Sequence, residues 1–274
     1  MDLTDAAAIT LAAVGAGAIN TVVGSGTLIT FPTLLALGYP PVTANVSNNI
    51  GLVFGGISGT WGYRRELAGQ QGLLRRLAPM SAAGAVTGAL ALLWLPATAF
   101  ETIVPVLIGL ALVLVVAQPR IAAAMAERRA GRGATAPERA PQDDVSARTD
   151  RGPSGRTGIA LTVGTALAGV YGGYFGAAQG VLLIGLLGSL LPQSLQRVNA
   201  AKNLLSVVVN LVAALTFLAV RPGAADPAVI ALIAAGSILG GVLGARIGRW
   251  LPQPVLRGFI VVVGTVAIVR LVTR

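Results

Sequence analysis

Few residues in the apolar parts of this chain can do chemistry. They are Gly24, Ser25, Gly26 and Thr27, the amides Asn45, Asn48 and Asn49, and, in a second stretch, Gln179, Gly180, Asn199, Lys202 and Asn203. A helix that stops and restarts inside a membrane presents unpaired backbone N–H groups at its new N-terminus, carrying about half a unit of positive partial charge. Glycine lets a ligand approach that backbone, and Ser25 and Thr27 add hydroxyl donors, so the chemistry on offer is anion binding. Lys202 is the only ionisable residue inside an apolar run and well away from the basic connections. Burying its charge costs at least about 2.5 to 3.5 kcal/mol on insertion scales, which a bound anion would offset.

The two stretches match each other. When Val23 to Asn49 is laid without a gap on Ala177 to Asn203, Gly26 falls on Gly180, Leu28 on Leu182, Asn45 on Asn199 and Asn49 on Asn203. Just outside, Gly15 falls on Gly169 and Val53 on Val207. The matched residues are glycines that break helices and amides that need partners in lipid, which is the signature expected of two repeated halves.

Composition sets the class. Hydrophobic residues make up 54% of the 274 and charged residues 11%, more apolar surface than a water-soluble domain can cover. The expected fold is an all-α polytopic membrane protein. The 20 Lys and Arg against 10 Asp and Glu lie mostly in the connections between apolar runs, so they report topology and not a nucleic-acid-binding face. The absence of cysteine and histidine removes disulfides, thiolate chemistry, imidazole relays and most transition-metal sites. No cofactor is expected. The acidic start MDLTD lacks the basic region of a cleaved signal, so the first apolar run is expected to stay as a transmembrane helix.

These residues are positioned by about eight full spans and two short broken or re-entrant half-helices. Residues 1–118 form the first repeat: a span from Ala6 to Val23, the break Gly24-Ser25-Gly26, and the short run Thr27 to Leu37, which at about 1.5 Å per residue reaches about half the core. Spans over 42–63, 77–95 and 102–118 follow. Gly51, Gly55 and Gly59 make a smooth packing face on the first of these. Residues 119–157, with 8 Arg and 5 Asp and Glu, read as a flexible cytoplasmic linker. Residues 158–274 repeat the plan: a span over 158–175, a break over 176–180, a short run over 181–191, then spans to 220, over 228–247 and over 255–272. Gly236, Gly240, Gly244 and Gly248 line the first of the last two, and such glycine faces would also serve a homo-oligomer.

If each short segment counts as a crossing, the halves are inverted; if each dips and returns to its side, they are parallel. The distribution of basic residues barely separates the two readings. Inversion is expected, because broken helices in inverted repeats recur among transporters.

Each feature also has a plainer reading. The breaks could instead be a tight turn at the membrane surface, Lys202 a snorkelling interface lysine, and Asn45 and Asn199 helix-to-helix bonds. Tyr171 and Tyr174 suit interface anchoring as well as substrate contact.

Gly24-Ser25-Gly26, Phe31-Pro32, Leu34-Leu35, Gly38 and Ala44-Asn45, echoed more weakly in the second half, resemble the TauE/SafE sulfite exporter family over all but the linker. The resemblance implies a bacterial inner-membrane permease for sulfite, sulfonates or related small anions, without an ATPase of its own. Its glycine motif maps onto Gly24, Ser25 and Gly26 and its proline onto Pro32. Leu186 stands where the second copy would repeat Pro32, and Ala178 and Gln179 replace Gly24 and Ser25, so an asymmetric site is expected.

The expected function is secondary transport of a small anion by alternating access, with Lys202 as counter-charge. An anion channel or a non-transporting membrane scaffold are the alternatives. An enzyme is not expected, for want of a nucleophile, base or buried carboxylate pair. No intramembrane Asp or Glu is evident, so no proton relay is visible, and uniport or a potential-driven process fits as easily.

Overall fold

A computed structural model describes residues 1–133 and 155–247, together with 258, 260–263, 265, 266, 268 and 269. The expectations for Gly248 and for most of the linker and of the 255–272 span lie outside these residues. Described residues form helices α1 (Leu3–Val22), α2 (Thr27–Ala36), α3 (Pro41–Gly62), α4 (Arg64–Leu67), α5 (Gln71–Trp94) and α6 (Ala97–Gly133). After residue 155 come α7 (Arg156–Tyr174), α8 (Gln179–Leu190), α9 (Leu195–Val220), a 3-10 turn at Pro222–Ala224 and α10 (Pro227–Ile247).

By length and composition, α1, α5, α6, α9 and α10 can each cross a membrane. Helices α3 and α7, of 22 and 19 residues, are long enough but diluted by glycine and polar side chains. The chain is therefore a multi-pass membrane protein. Helix α6 differs from expectation: it begins at Ala97, close behind Pro96, and runs through Pro119 to Gly133, so the sequence change at Pro119 is not a helix end.

Local chemistry explains the ends. Asp2 caps α1 by accepting from the Asp5 amide at 2.9 Å, Pro41 opens α3 at a position that needs no N–H, and Asp226 caps α10 through Ala228 and Val229. Helix α1 stops because Val23 and Gly24 both donate to the Ile19 carbonyl, with Gly24 at φ +87. Helix α7 stops in the same way, Phe175 and Gly176 both donating to Tyr171, with Gly176 at φ +79. This double bond to one carbonyl with a left-handed glycine after it is a helix stop that favours glycine. It corrects the gapless register: the breaks pair Gly24 with Gly176, not Gly26 with Gly180. The difference is absorbed by α8, which has 12 residues where α2 has 10. Gln179 and Gly180 accordingly belong to the first turn of α8 and not to the break.

Close glycine contacts give the helix directions. Gly236, Gly240 and Gly244 abut Thr10, Val14 and Ala18 in turn, so α1 and α10 run parallel. Gly84 and Gly88 abut Ala166 and Val170, and Gly169 and Gly173 abut Ser81 and Ala85, so α5 and α7 are parallel too. Gly51 and Gly55 lie on Ile233 and Ser237, making α3 parallel to α10. Helix α9 runs against α3: Arg197 near its start donates to Ala68 beyond the end of α3, and Asp226 beyond its own end bonds Ser47 near the start of α3. The first helix of each half thus packs on the third long helix of the other, and both glycine faces are filled within the chain. Each short helix folds back along the helix before it, Gly15 lying against Ile29 and Gly164 against Leu186.

Arg64, Arg65, Arg75, Arg76, Arg156, Arg197 and Arg246 fall at one end of this bundle, with Glu66. Asp2, Asp5, Glu101 and Asp226 fall at the other, with Arg221. By the positive-inside rule the basic end is the one expected to face the cytoplasm.

Candidate functional site

Both helix breaks come together in the middle of the bundle. Gly180 donates its N–H to the Gly24 carbonyl at 3.1 Å, and a Cβ on Gly24 would stand 2.4 Å from the Gly180 Cα. Gly26 sits just as close to the Ala16 carbonyl, so these positions accept no side chain. The plainer reading of the breaks as surface turns is overturned by their burial: Ser25 in the first and Ala177 and Ala178 in the second are fully enclosed.

The amides hold the helix stops, and they do so across the halves. Asn45 on α3 donates to the Tyr174 carbonyl at the end of α7, at 3.0 Å. Asn199 and Asn203 on α9 donate to the Thr21 carbonyl at the end of α1, at 3.2 and 3.3 Å. Asn48 serves its own half, taking the Thr30 hydroxyl on its oxygen and giving a 3.3 Å bond to Thr27. Lys202 is 0% exposed and does not snorkel. Its stem passes Gly180, and its ammonium donates to the Asn20 and Thr21 carbonyls at 3.0 and 3.2 Å. Those carbonyls are the negative end of α1, a fitting seat for a cation.

Several buried polar atoms around the breaks have no protein partner: Ser25 Oγ, Gln179 Nε2, and the side-chain oxygens of Asn45, Asn49 and Asn199. Tyr171 and Tyr174, beside the second break, keep unpartnered buried hydroxyls as well. Orphaned buried polar groups in one neighbourhood call for an unseen partner, water or ligand. The set is mixed, with donors from Ser25, Gln179 and the tyrosines and acceptors from the asparagines. Among the described residues there is no group of acidic side chains that could hold a metal.

The structure thus brings Gly24, Ser25, Gly26, Gln179, Gly180 and Lys202 together at the meeting of the breaks, with Asn45, Asn199 and Asn203 bracing the helix ends. Thr27 and Asn48 are engaged with one another along α2 and α3. The sequence reading missed the backbone acceptors at Asn20, Thr21 and Tyr174, for which side-chain patterns hold no signal.

It also missed a ring cluster. Phe31 meets Phe175 edge-on at 5.3 Å, and Phe100 closes on Tyr174 at 5.7 Å, between the breaks and the acidic end. Toward the basic end lies an aliphatic cluster that includes Leu73, Leu77, Leu183, Leu187 and Val198.

Comparison with known proteins agrees with the resemblance in the motifs. The profile of the family described as Sulfite exporter TauE/SafE matches residues 9–271. A relative from Sinorhizobium sp, named "Probable membrane transporter protein ORF9", is 39% identical over 100 residues, 36% of this chain and 38% of its own. The chain therefore matches well under half of that relative's length. No solved structure matches the chain.

Proposed function

Since this chain belongs to the TauE/SafE sulfite exporter family of membrane transporters, we propose that it is a secondary transporter for a small oxyanion, sulfite or an organosulfonate, in the inner membrane. The observation that carries this reading is the buried meeting of the break after α1 with the start of α8, Gly24 against Gly180, ringed by polar atoms without protein partners. Opposed broken helices near the midplane suit a substrate site between inverted repeats, and the opposite directions of α3 and α9 support inversion. Ser25 Oγ and Gln179 Nε2 supply donors to an oxyanion, and Lys202 lends its charge. The oxygens of Asn45 and Asn199 suit a proton or amino group on the same substrate, as on hydrogen sulfite or an aminosulfonate.

Alternating access then moves two bundles, α1 with α3 and α10 against α7 with α5 and α9, each drawn from both halves. The ring cluster and the leucine cluster are the layers that would part to open the site to either side. Flux of radiolabelled sulfite, two sulfonates and a carboxylate into proteoliposomes tests the reading. Saturable uptake of the sulfur oxyanions is the expected result. Uptake that rises linearly to high concentration would point to a channel, and a folded protein that moves no anion would point to a scaffold.

A further inference from the structure

Lys202 is one of three braces on the end of α1, and of the three it alone also reaches the Asn20 carbonyl. The Thr21 carbonyl has two lone pairs and three donors within hydrogen-bond distance: Lys202, Asn199 and Asn203. The two amides alone can satisfy it. In the other half the equivalent stop at Tyr174 is held by Asn45, with no ammonium at all. The position of Lys202 in α9 corresponds to Asn48 in α3, a neutral residue that bonds hydroxyls on α2. One half thus carries a cation where the other carries an amide, and the backbone holds its shape around both.

We propose that Lys202 carries the coupling proton, so that one proton crosses with each monovalent anion. This rests on the transporter reading above. Ends of broken helices elsewhere seat coupling cations on their free carbonyls. Here a tethered ammonium occupies that seat, fully enclosed, on Asn20 and Thr21. Lysine can release its proton where arginine cannot. The ammonium faces only neutral dipoles, and among the described residues no carboxylate pairs with it. An anion at the adjoining break neutralises it, so binding of the anion and of the proton favour each other by linkage.

The cycle balances: the amine takes a proton from the first side, the anion joins, the neutral pair is carried across, and both leave on the second side to restore the amine. Other titratable groups on the packed elements are remote by position or neutral. Helix α5 has Arg75 and Arg76 at its start, α4 has Arg64, Arg65 and Glu66, α7 has Arg156 with Tyr171 and Tyr174, and α1 has Asp5; α9 itself has Arg197 at its start, and α3 and α8 have none.

The test is transport by the intact protein in liposomes loaded with a pH-sensitive dye, using methanesulfonate, isethionate and sulfite as probes. The wild type is expected to accumulate anion about tenfold per unit of imposed pH gradient. It should acidify the lumen by one proton per monovalent anion and draw no current. Lys202→Arg, permanently charged, is expected to abolish accumulation driven by the gradient. Lys202→Gln is expected to lose the proton flux, any residual anion flux carrying current.

Saturable wild-type flux that ignores the pH gradient overturns the inference and leaves the transporter standing. Gradient-driven accumulation that survives in Lys202→Gln or Lys202→Arg overturns it too. No anion flux from folded wild-type protein removes the transporter reading as well. Comparing each anion between wild type and Lys202→Arg cancels the titration of sulfite itself.

Discussion

Gly180 donates its backbone N–H to the carbonyl of Gly24 across the two halves, at 3.1 Å. This bond ties the stop of α1 to the first turn of α8, and it leaves no room for a side chain on either residue. Alanine at Gly24 meets both a left-handed φ of +87, costing about 1 to 2 kcal/mol, and the Gly180 backbone. Gly38 has a similar φ of +88 but open space around it. Thermal unfolding in detergent should therefore show Gly24→Ala well below Gly38→Ala, with transport lost in the first and kept in the second. Equal melting temperatures would mean that the breaks do not touch.

The amide braces differ in redundancy. Asn45→Ala removes the brace on Tyr174, whereas Asn199→Ala leaves Thr21 with Lys202 and Asn203. Interhelical bonds of this kind contribute about 0.6 kcal/mol on average and up to about 1.7. Asn45→Ala is expected near the top of that range and Asn199→Ala near the bottom. Unfolding equilibria in mixed micelles would rank them.

Glycines on the packed faces and on the lipid face should part company. A Cβ on Gly240 would lie 2.0 Å from the Val14 carbonyl, and one on Gly88 would lie 2.0 Å from the Val170 carbonyl, while Gly109 has nothing within 4 Å. Gly240→Ala and Gly88→Ala should each separate a helix pair and reduce the folded yield several-fold. Gly109→Ala should gain helix propensity worth up to about 1 kcal/mol. Size-exclusion profiles of the three variants check this.

Orientation is open to a direct test, because the chain has no cysteine of its own. Gly223 lies in the turn before α10 at the acid-rich end, and Arg64 lies beyond α3 at the basic end. A membrane-impermeant maleimide added to whole cells should label Gly223→Cys and leave Arg64→Cys unlabelled until the cells are opened. The reverse pattern would turn the molecule over.

At the start of α1, hydrogen bonds from the Asp5 amide and from Thr4 hold the Asp2 carboxyl below the usual carboxylate range. A depressed folded value means that its support of α1 is present above the unfolded value of about 3.9 and fades as pH falls through the folded one. Amide exchange in the first turn of α1 should accelerate, relative to the intrinsic rate, below about pH 4, and Asp2→Asn should show the faster exchange at neutral pH already.

The sequence made the periodic and punctuated features legible. Apolar runs gave most of the helices, and the glycines of 24–26 with the short runs behind them located the breaks. Lys202, alone among apolar residues, stood out at once. The register of the breaks did not, because one gapless shift satisfied the amides while the stop glycines obey another, and only hydrogen bonding to Ile19 and Tyr171 tells them apart. The end of α6 was hidden for a related reason: Arg120 and the alanines after it suit a helix as well as a linker. The acceptors for Lys202 are main-chain atoms, which every residue possesses, so no residue type marks them.

The crossed packing of α1 on α10 and of α5 on α7 has a consequence for assembly. A half chain made alone would present a bare glycine groove where its counterpart's first helix belongs. Two such pieces, cut anywhere between residues 133 and 155 and produced together, carry complementary grooves and ridges and can close on each other without the covalent joint. What joins the halves in the described residues is therefore the exchange of helices, α1 on α10 and α7 on α5.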